Sequence, residues 1–172
     1  MGAPMEKNEI LRRTVILLLA GASGSCLILA LWTGWLWLAF PGMPFFLFLL
    51  ILGHETGHIL GCLWNRNKIT GLRVPLFTVS GRKLSFDCNI FARSYCAFLT
   101  SPCDALVYLC GPLASLCIGA AVVGGYLASP NNNAAALCAF AAAVHTVLNW
   151  LPSAHSDLVR AKKEIERKRN AT

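Results

Sequence analysis

His54-Glu55-Thr56-Gly57-His58 places two imidazoles and a carboxylate inside an apolar run from Phe45 to Trp64. A helix repeats every 3.6 residues, so His54 and His58 project from one face, a single turn apart. Imidazoles at that spacing can hold one Zn²⁺, and Glu55 can then take a proton from water on the metal. One residue along a helix turns a side chain by about 100°, which aims Glu55 at the water and away from the metal. An ionisable group at the centre of a bilayer costs on the order of 2.5–3.5 kcal/mol by insertion scales, so such groups are rarely idle there. Histidines that merely bonded to neighbouring helices would leave Glu55 buried without a partner.

A catalytic zinc takes three protein ligands and keeps one position open. The remaining acidic candidates after Glu55 are Asp87, Asp104, Asp157, Glu164 and Glu166. Asp157 follows Asn149-Trp150-Leu151-Pro152 at the end of the last apolar run. His58 lies about six residues from the end of its own run, roughly 9 Å at 1.5 Å per residue. The two meet at compatible depth if the chain after Pro152 folds back inward. His155 and His145 are the alternatives, the second lying deeper and one turn from Asn149. Asp104 opens a later helix, where a negative charge needs no catalytic reason.

The elements that carry these residues are membrane spans. Of 172 residues, 56% are hydrophobic and 13% charged, whereas a soluble domain carries about 25% charged residues. A helix needs about 20 apolar residues to cross the hydrocarbon core, and the spans read as about 14–40, 45–64, 103–128 and 134–152. Pro41-Gly42-Met43-Pro44 reads as the first turn, because prolines flanking a glycine interrupt a helix. Trp32, Trp35 and Trp37 form an interfacial belt near it. Gly111-Pro112 loosens the third span and frees a backbone carbonyl. A cleaved signal peptide ending near Ala20-Gly21-Ala22 is disfavoured, since the apolar run continues past it. The chain therefore reads as one domain, an all-α polytopic membrane protein with about four transmembrane helices and a short β-prone insertion after the second. In that insertion 69–74 and 82–86 form a hairpin through Ser80-Gly81, with Gly71 and Pro75 confining the first strand to an edge or an irregular course.

The net charge of +7 would suit nucleic acid, but its distribution argues for a membrane. All 15 Lys and Arg lie before Thr14, between Arg66 and Arg93, or after Asp157, and the turns at 41–44 and 129–133 carry none. Four spans put every basic residue on one side, which the positive-inside rule makes the cytoplasm, along with both termini and the charged tail 158–172. The eight cysteines read as reduced packing residues. Cys96, Cys103, Cys110 and Cys117 recur every seven residues, but prolines interrupt any shared metal face.

HETGH in an apolar helix, Gly111-Pro112-Leu113-Ala114 in a later one, and Asn149-x-x-Pro152 followed by Ser156-Asp157 resemble the site-2 protease family of intramembrane zinc metalloproteases. The resemblance covers roughly residues 45–157 and implies His54, His58 and Asp157 as ligands, Glu55 as the base and Asn149 as a polar residue near the cleft. Three positions depart from the family pattern. Ser156 stands for the usual Leu, Leu158 for the usual Gly, and Ser115 where an Asn often follows the Gly-Pro pair. No PDZ-like domain is present, so gating by such a domain would need a membrane partner.

The expectation is a zinc endopeptidase that cleaves a membrane-embedded protein substrate in or beside a transmembrane segment, with the bilayer and no nucleic acid as its surroundings. Strand addition of the unwound substrate to segment 69–86 fits that role. The alternative is a non-catalytic zinc-binding membrane protein, either a transport subunit or a regulatory protease homologue.

Overall fold

The computed structural model describes residues 7–65, 69–74, 76–80, 83–87, 95–98, 105–152 and 156–170. It is helical, with a small sheet inserted after the second helix. The helices are α1 (Lys7–Thr33), α2 (Leu36–Trp64), α3 (Ala105–Ala128), α4 (Asn133–Trp150) and α5 (Asp157–Arg169). Among the described residues, α1 to α4 are each long and apolar enough to cross a membrane. Their interior and exterior are reversed relative to a soluble bundle. Ala30, Ala39, Ala134 and Ala142 are fully buried, whereas Leu18, Ile28, Leu60 and Phe140 point outward. In lipid, helices associate through small residues that let backbones approach, and leucines face the acyl chains.

The first turn falls earlier than the two prolines suggest. α1 stops at Gly34, whose φ of 74° is open to glycine and costly for other residues, and whose N–H closes on the Ala30 carbonyl at 2.8 Å. Pro41 and Pro44 lie inside α2. Ser23 of α1 bridges the ladder beside them: its hydroxyl donates to the Pro41 carbonyl at 2.6 Å and accepts from the Phe45 N–H at 3.3 Å. Prolines are tolerated in membrane helices when neighbouring helices and serine side chains support the loosened turn, and here the helix continues. Gly42 between the prolines is a packing position, since a Cβ there would lie 2.7 Å from the backbone of Leu27 in α1. The tryptophans keep their place at this end, with Trp32 and Trp37 more than four-fifths exposed on either side of the turn.

The α3–α4 turn lies at the same end. Asn132 caps α4 by accepting from the Ala135 N–H at 3.0 Å, and its amide donates to the Leu31 carbonyl of α1 at 2.6 Å. α3 runs through Gly111-Pro112 without ending, and Pro112 is fully buried.

The insertion holds more strands than the sequence pattern suggests. β1 (Ile69–Val74), β2 (Leu76–Ser80), β3 (Lys83–Asp87) and β4 (Tyr95–Phe98) pair antiparallel in the order β3-β2-β1-β4. The hairpin closes as expected, with Ser80 opposite Lys83, but its first strand is β2. β1 pairs on both sides, so the edge reading is corrected. Its irregular course is present, as a register shift between Ile69 and Gly71 against β4. Pro75 lies outside the described residues. β1 and β4 pack against α2.

α5 is a helix that packs on α3, with Ala161 and Glu164 buried. Arg167 grips Glu164 through two hydrogen bonds of 2.8 and 3.0 Å.

Ser23→Ala removes the two bonds from α1 to the Pro41 carbonyl and the Phe45 N–H and should destabilise the bundle by about 1 kcal/mol. Thermal unfolding of the purified protein in detergent measures this, and an unchanged midpoint would show that the proline gap needs no hydroxyl.

Candidate metal centre

The close approach of α2 to α3 builds the site. Gly57 of α2 faces Cys110 and Ala114, and a Cβ on Gly57 would lie 2.7 Å from the Ala114 Cβ. Four residues further along α2, Gly61 meets Cys110 and Val107 in the same manner. With the backbones this near, the imidazoles on the adjoining face of α2 lie against Gly111. A Cβ on Gly111 would stand 2.6 Å from His58 Cε1 and 2.8 Å from His54 Nε2. Glycine is the residue that leaves them room.

His54, Glu55 and His58 are all buried. Asp157, the first residue of α5, returns to the two histidines, so the chain after Pro152 does fold back. His54 Nε2 and His58 Nε2 are 3.2 Å apart, and Asp157 Oδ2 lies 3.2 Å from the first and 3.1 Å from the second. These three atoms form a nearly equilateral triangle.

The outer nitrogens fix how the inner ones face. His58 Nδ1 is 2.8 Å from the Val107 carbonyl, which can only accept, so Nδ1 carries the hydrogen and Nε2 presents a lone pair. His54 Nδ1 is 2.9 Å from Ser115 Oγ. A lone pair and a carboxylate oxygen facing each other at 3.1 Å need a proton or a cation between them. Tetrahedral coordination at 2.0–2.1 Å places ligand atoms about 3.3–3.4 Å apart, close to the edges of this triangle. The three residues can therefore hold a metal ion. Burial alone would raise the Asp157 carboxyl, but its hydrogen bonds to His54 and His58, together with their charge, hold it well below the usual carboxylate range.

Glu55 lies outside the ligand triangle, yet near enough for the charges of His58, His54 and Asp157 to act on it. Its Oε2 is buried and has no hydrogen-bond partner among the described residues. A buried acceptor with no protein partner costs about 1–3 kcal/mol unless a further group bonds it.

The competing ligands separate clearly. The His145 ring stands perpendicular to His54, 6.4 Å between centroids, and does not join the triangle. Asn149 donates to the His145 carbonyl at 2.9 Å and lies 3.3 Å from Ser115 Oγ. His155 and Asp104 lie outside the described residues, as does Cys103 of the seven-residue series, while Cys96 falls in β4, away from the helix that carries Cys110 and Cys117. Two contributions escaped the sequence reading. The Val107 carbonyl is backbone and has no sequence signal. Ser115 was visible only as a departure from a family pattern, although a buried hydroxyl one turn beyond Gly111 could have been paired with an imidazole.

Comparison with protein-family models, curated proteins and solved structures finds no match to this chain.

Asp157→Ala should abolish tight metal binding, whereas His145→Ala should leave one ion per chain, as read by metal analysis of the purified protein. Gly111→Ala should weaken binding roughly 10–100-fold by displacing both imidazoles, a loss of the size seen when ligand orientation is disturbed.

Proposed function

We propose that this chain is an intramembrane zinc endopeptidase of the site-2 protease type, hydrolysing a peptide bond in or next to a transmembrane segment of another protein. The observation that carries the reading is the triangle of His54, His58 and Asp157 beside a buried carboxylate whose Oε2 has no partner among the described residues. Two nitrogens and one oxygen suit zinc, and three protein ligands match the pattern of catalytic zinc. Zinc, when bound there, supplies a Lewis acid that polarises a carbonyl and makes water acidic enough to deprotonate near neutral pH. His54, His58 and Asp157 hold the ion. Glu55 accepts a proton from the attacking water at its free oxygen and delivers it to the leaving amine as the C–N bond breaks.

The substrate helix must unwind locally, because a helical carbonyl is hydrogen-bonded and shielded. β4 supports this step. It packs against α2, the helix carrying the ligands, and pairs with β1 alone among the described strands. An extended substrate can add to such an edge. The basic residues of the α1 N-terminus, the insertion and α5 support an orientation with that end of the bundle toward the cytoplasm.

Glu55→Gln keeps size and polarity but removes the base. It should retain one zinc per chain while cleavage in reconstituted vesicles falls by roughly 10²-fold or more. Turnover at the wild-type rate would overturn the mechanism even with zinc bound. Topology is checked separately. A reporter after Thr172 should read cytoplasmic and one at Asn132 external, and a cytoplasmic reading at Asn132 would break the orientation.

A further inference from the structure

The two histidines are held in different ways. His58 is oriented by a backbone carbonyl of α3, which cannot move without the helix itself. His54 depends on one side chain, the hydroxyl of Ser115, which is 2% exposed. That hydroxyl is in turn reached from α4. Asn149 Nδ2 lies 3.3 Å from Ser115 Oγ, and Thr146 Oγ1 donates to the Ser115 carbonyl at 3.1 Å. Gly119, one turn beyond Ser115, leaves space for Thr146, since a Cβ there would collide with the threonine hydroxyl.

We propose that Ser115, gripped by Thr146 and Asn149, is the positioning residue of His54, so that a polar relay from α4 through α3 sets the orientation of one metal ligand on α2. The hydrogen inventory supports the direction of the relay. The Asn149 amide is only a donor at nitrogen, so it occupies one lone pair of Ser115 Oγ. When His54 ligates through Nε2, its Nδ1–H needs an acceptor, and the remaining Ser115 lone pair is placed to be one. The second Asn149 hydrogen goes to the His145 carbonyl at 2.9 Å, which ties the amide to its own helix. The Asn149 amide nitrogen also lies 3.3 Å from both ring nitrogens of His145, so that ring shares its donor with Ser115. In lipid, water is not at hand to replace a lost acceptor, so each link carries weight that it would lack at a wet surface.

The relay rests on the metal-centre reading but not on proteolysis, and metal binding alone can test it. Zinc affinity of the full-length protein in detergent is measured by competition with a chromophoric chelator, and ligand geometry by the absorption spectrum of the cobalt(II) form. Ser115→Ala should weaken zinc roughly 10–100-fold and alter the cobalt spectrum. Asn149→Ala should act in the same direction by a smaller factor. With the hydroxyl already absent, Asn149 has nothing to hold, so the double variant should lose no more than Ser115→Ala alone. Thermal unfolding of the metal-free variants separates a positioning role from a folding defect, and Asn149→Ala, at a less buried position, provides the second route if Ser115→Ala folds poorly. Wild-type affinity and spectrum in both single variants would overturn the relay, as would losses that simply multiply in the double variant. Zinc binding by the wild type without any cleavage would overturn the protease reading and leave the relay standing, whereas a wild type that binds no metal overturns the centre and the relay with it.

Discussion

The contact between the backbones of α2 and α3 governs the rest of this molecule. Gly57 and Gly61 let α2 approach until Cys110 and Ala114 touch its surface, and Gly111 receives the two imidazoles in return. At that separation the Val107 carbonyl is within hydrogen-bonding distance of His58, and Ser115 of His54. A larger side chain at either helix would separate the pair, and both outer nitrogens would lose their partners together. The geometry of the metal centre is thus set by the absence of side chains as much as by their presence. In lipid this contact has no hydrophobic drive to spare, because acyl chains solvate leucine as well as a helix does. Close packing of small residues and a few buried hydrogen bonds must hold it.

The chemistry was readable because it sits in a foreign medium. His54, Glu55 and His58 would mean little on the wet face of a soluble helix, but in the apolar run from Phe45 to Trp64 each has a solvation cost that demands a use. The same logic found four apolar helices, whereas Asp157 was reached through its depth, on the condition that the chain folds back, and through the family resemblance. It failed at Pro41-Gly42-Met43-Pro44, and the failure has a physical cause. A proline pair breaks a helix in water because the freed carbonyls and N–H groups are solvated in the broken form. In a membrane the break exposes more unpaired groups than it relieves, and Ser23 on α1 offers a local repair. The true turn signal was Gly34, which looked like one small residue among many. In the insertion, the pattern gave the Ser80 hairpin but missed that Leu76–Ser80 forms a strand of its own, because the short run after Pro75 had been read as a connection.

Polar groups are economical in the bundle, and their concentration at one depth is itself a constraint. Ser115 Oγ meets His54 and Asn149, while its carbonyl meets Thr146. One residue of α3 thereby meets polar groups from two other helices. Such a cluster stabilises only when every member is paired, since a half-satisfied buried network costs more than an apolar one. Against that background the unpartnered Oε2 of Glu55 is the exception. The neighbouring groups are matched so closely that leaving one acceptor open is not a failure of packing generally. Among the described residues it is confined to the carboxylate beside the histidine pair.

Asp157 reaches the histidines from an element that is anchored independently of them. Ser156 caps α5 by accepting from the Val159 N–H at 3.4 Å, and Asp157 occupies the first turn, where the helix dipole favours a carboxylate. Arg167, Lys168 and Arg169 fill the last turn, where the dipole favours cations. Ala161 and Glu164 seat the helix on α3. The carboxylate is therefore presented by the start of a helix that has its own cap, charge complement and packing on α3. Placing the third ligand on a separate, pre-set helix means that an ion in the triangle would join α2 to α5 across α3. The ion would then lock the fold of the C-terminal segment as well as the site, because a ligand that binds only the assembled form stabilises every element the assembly contains.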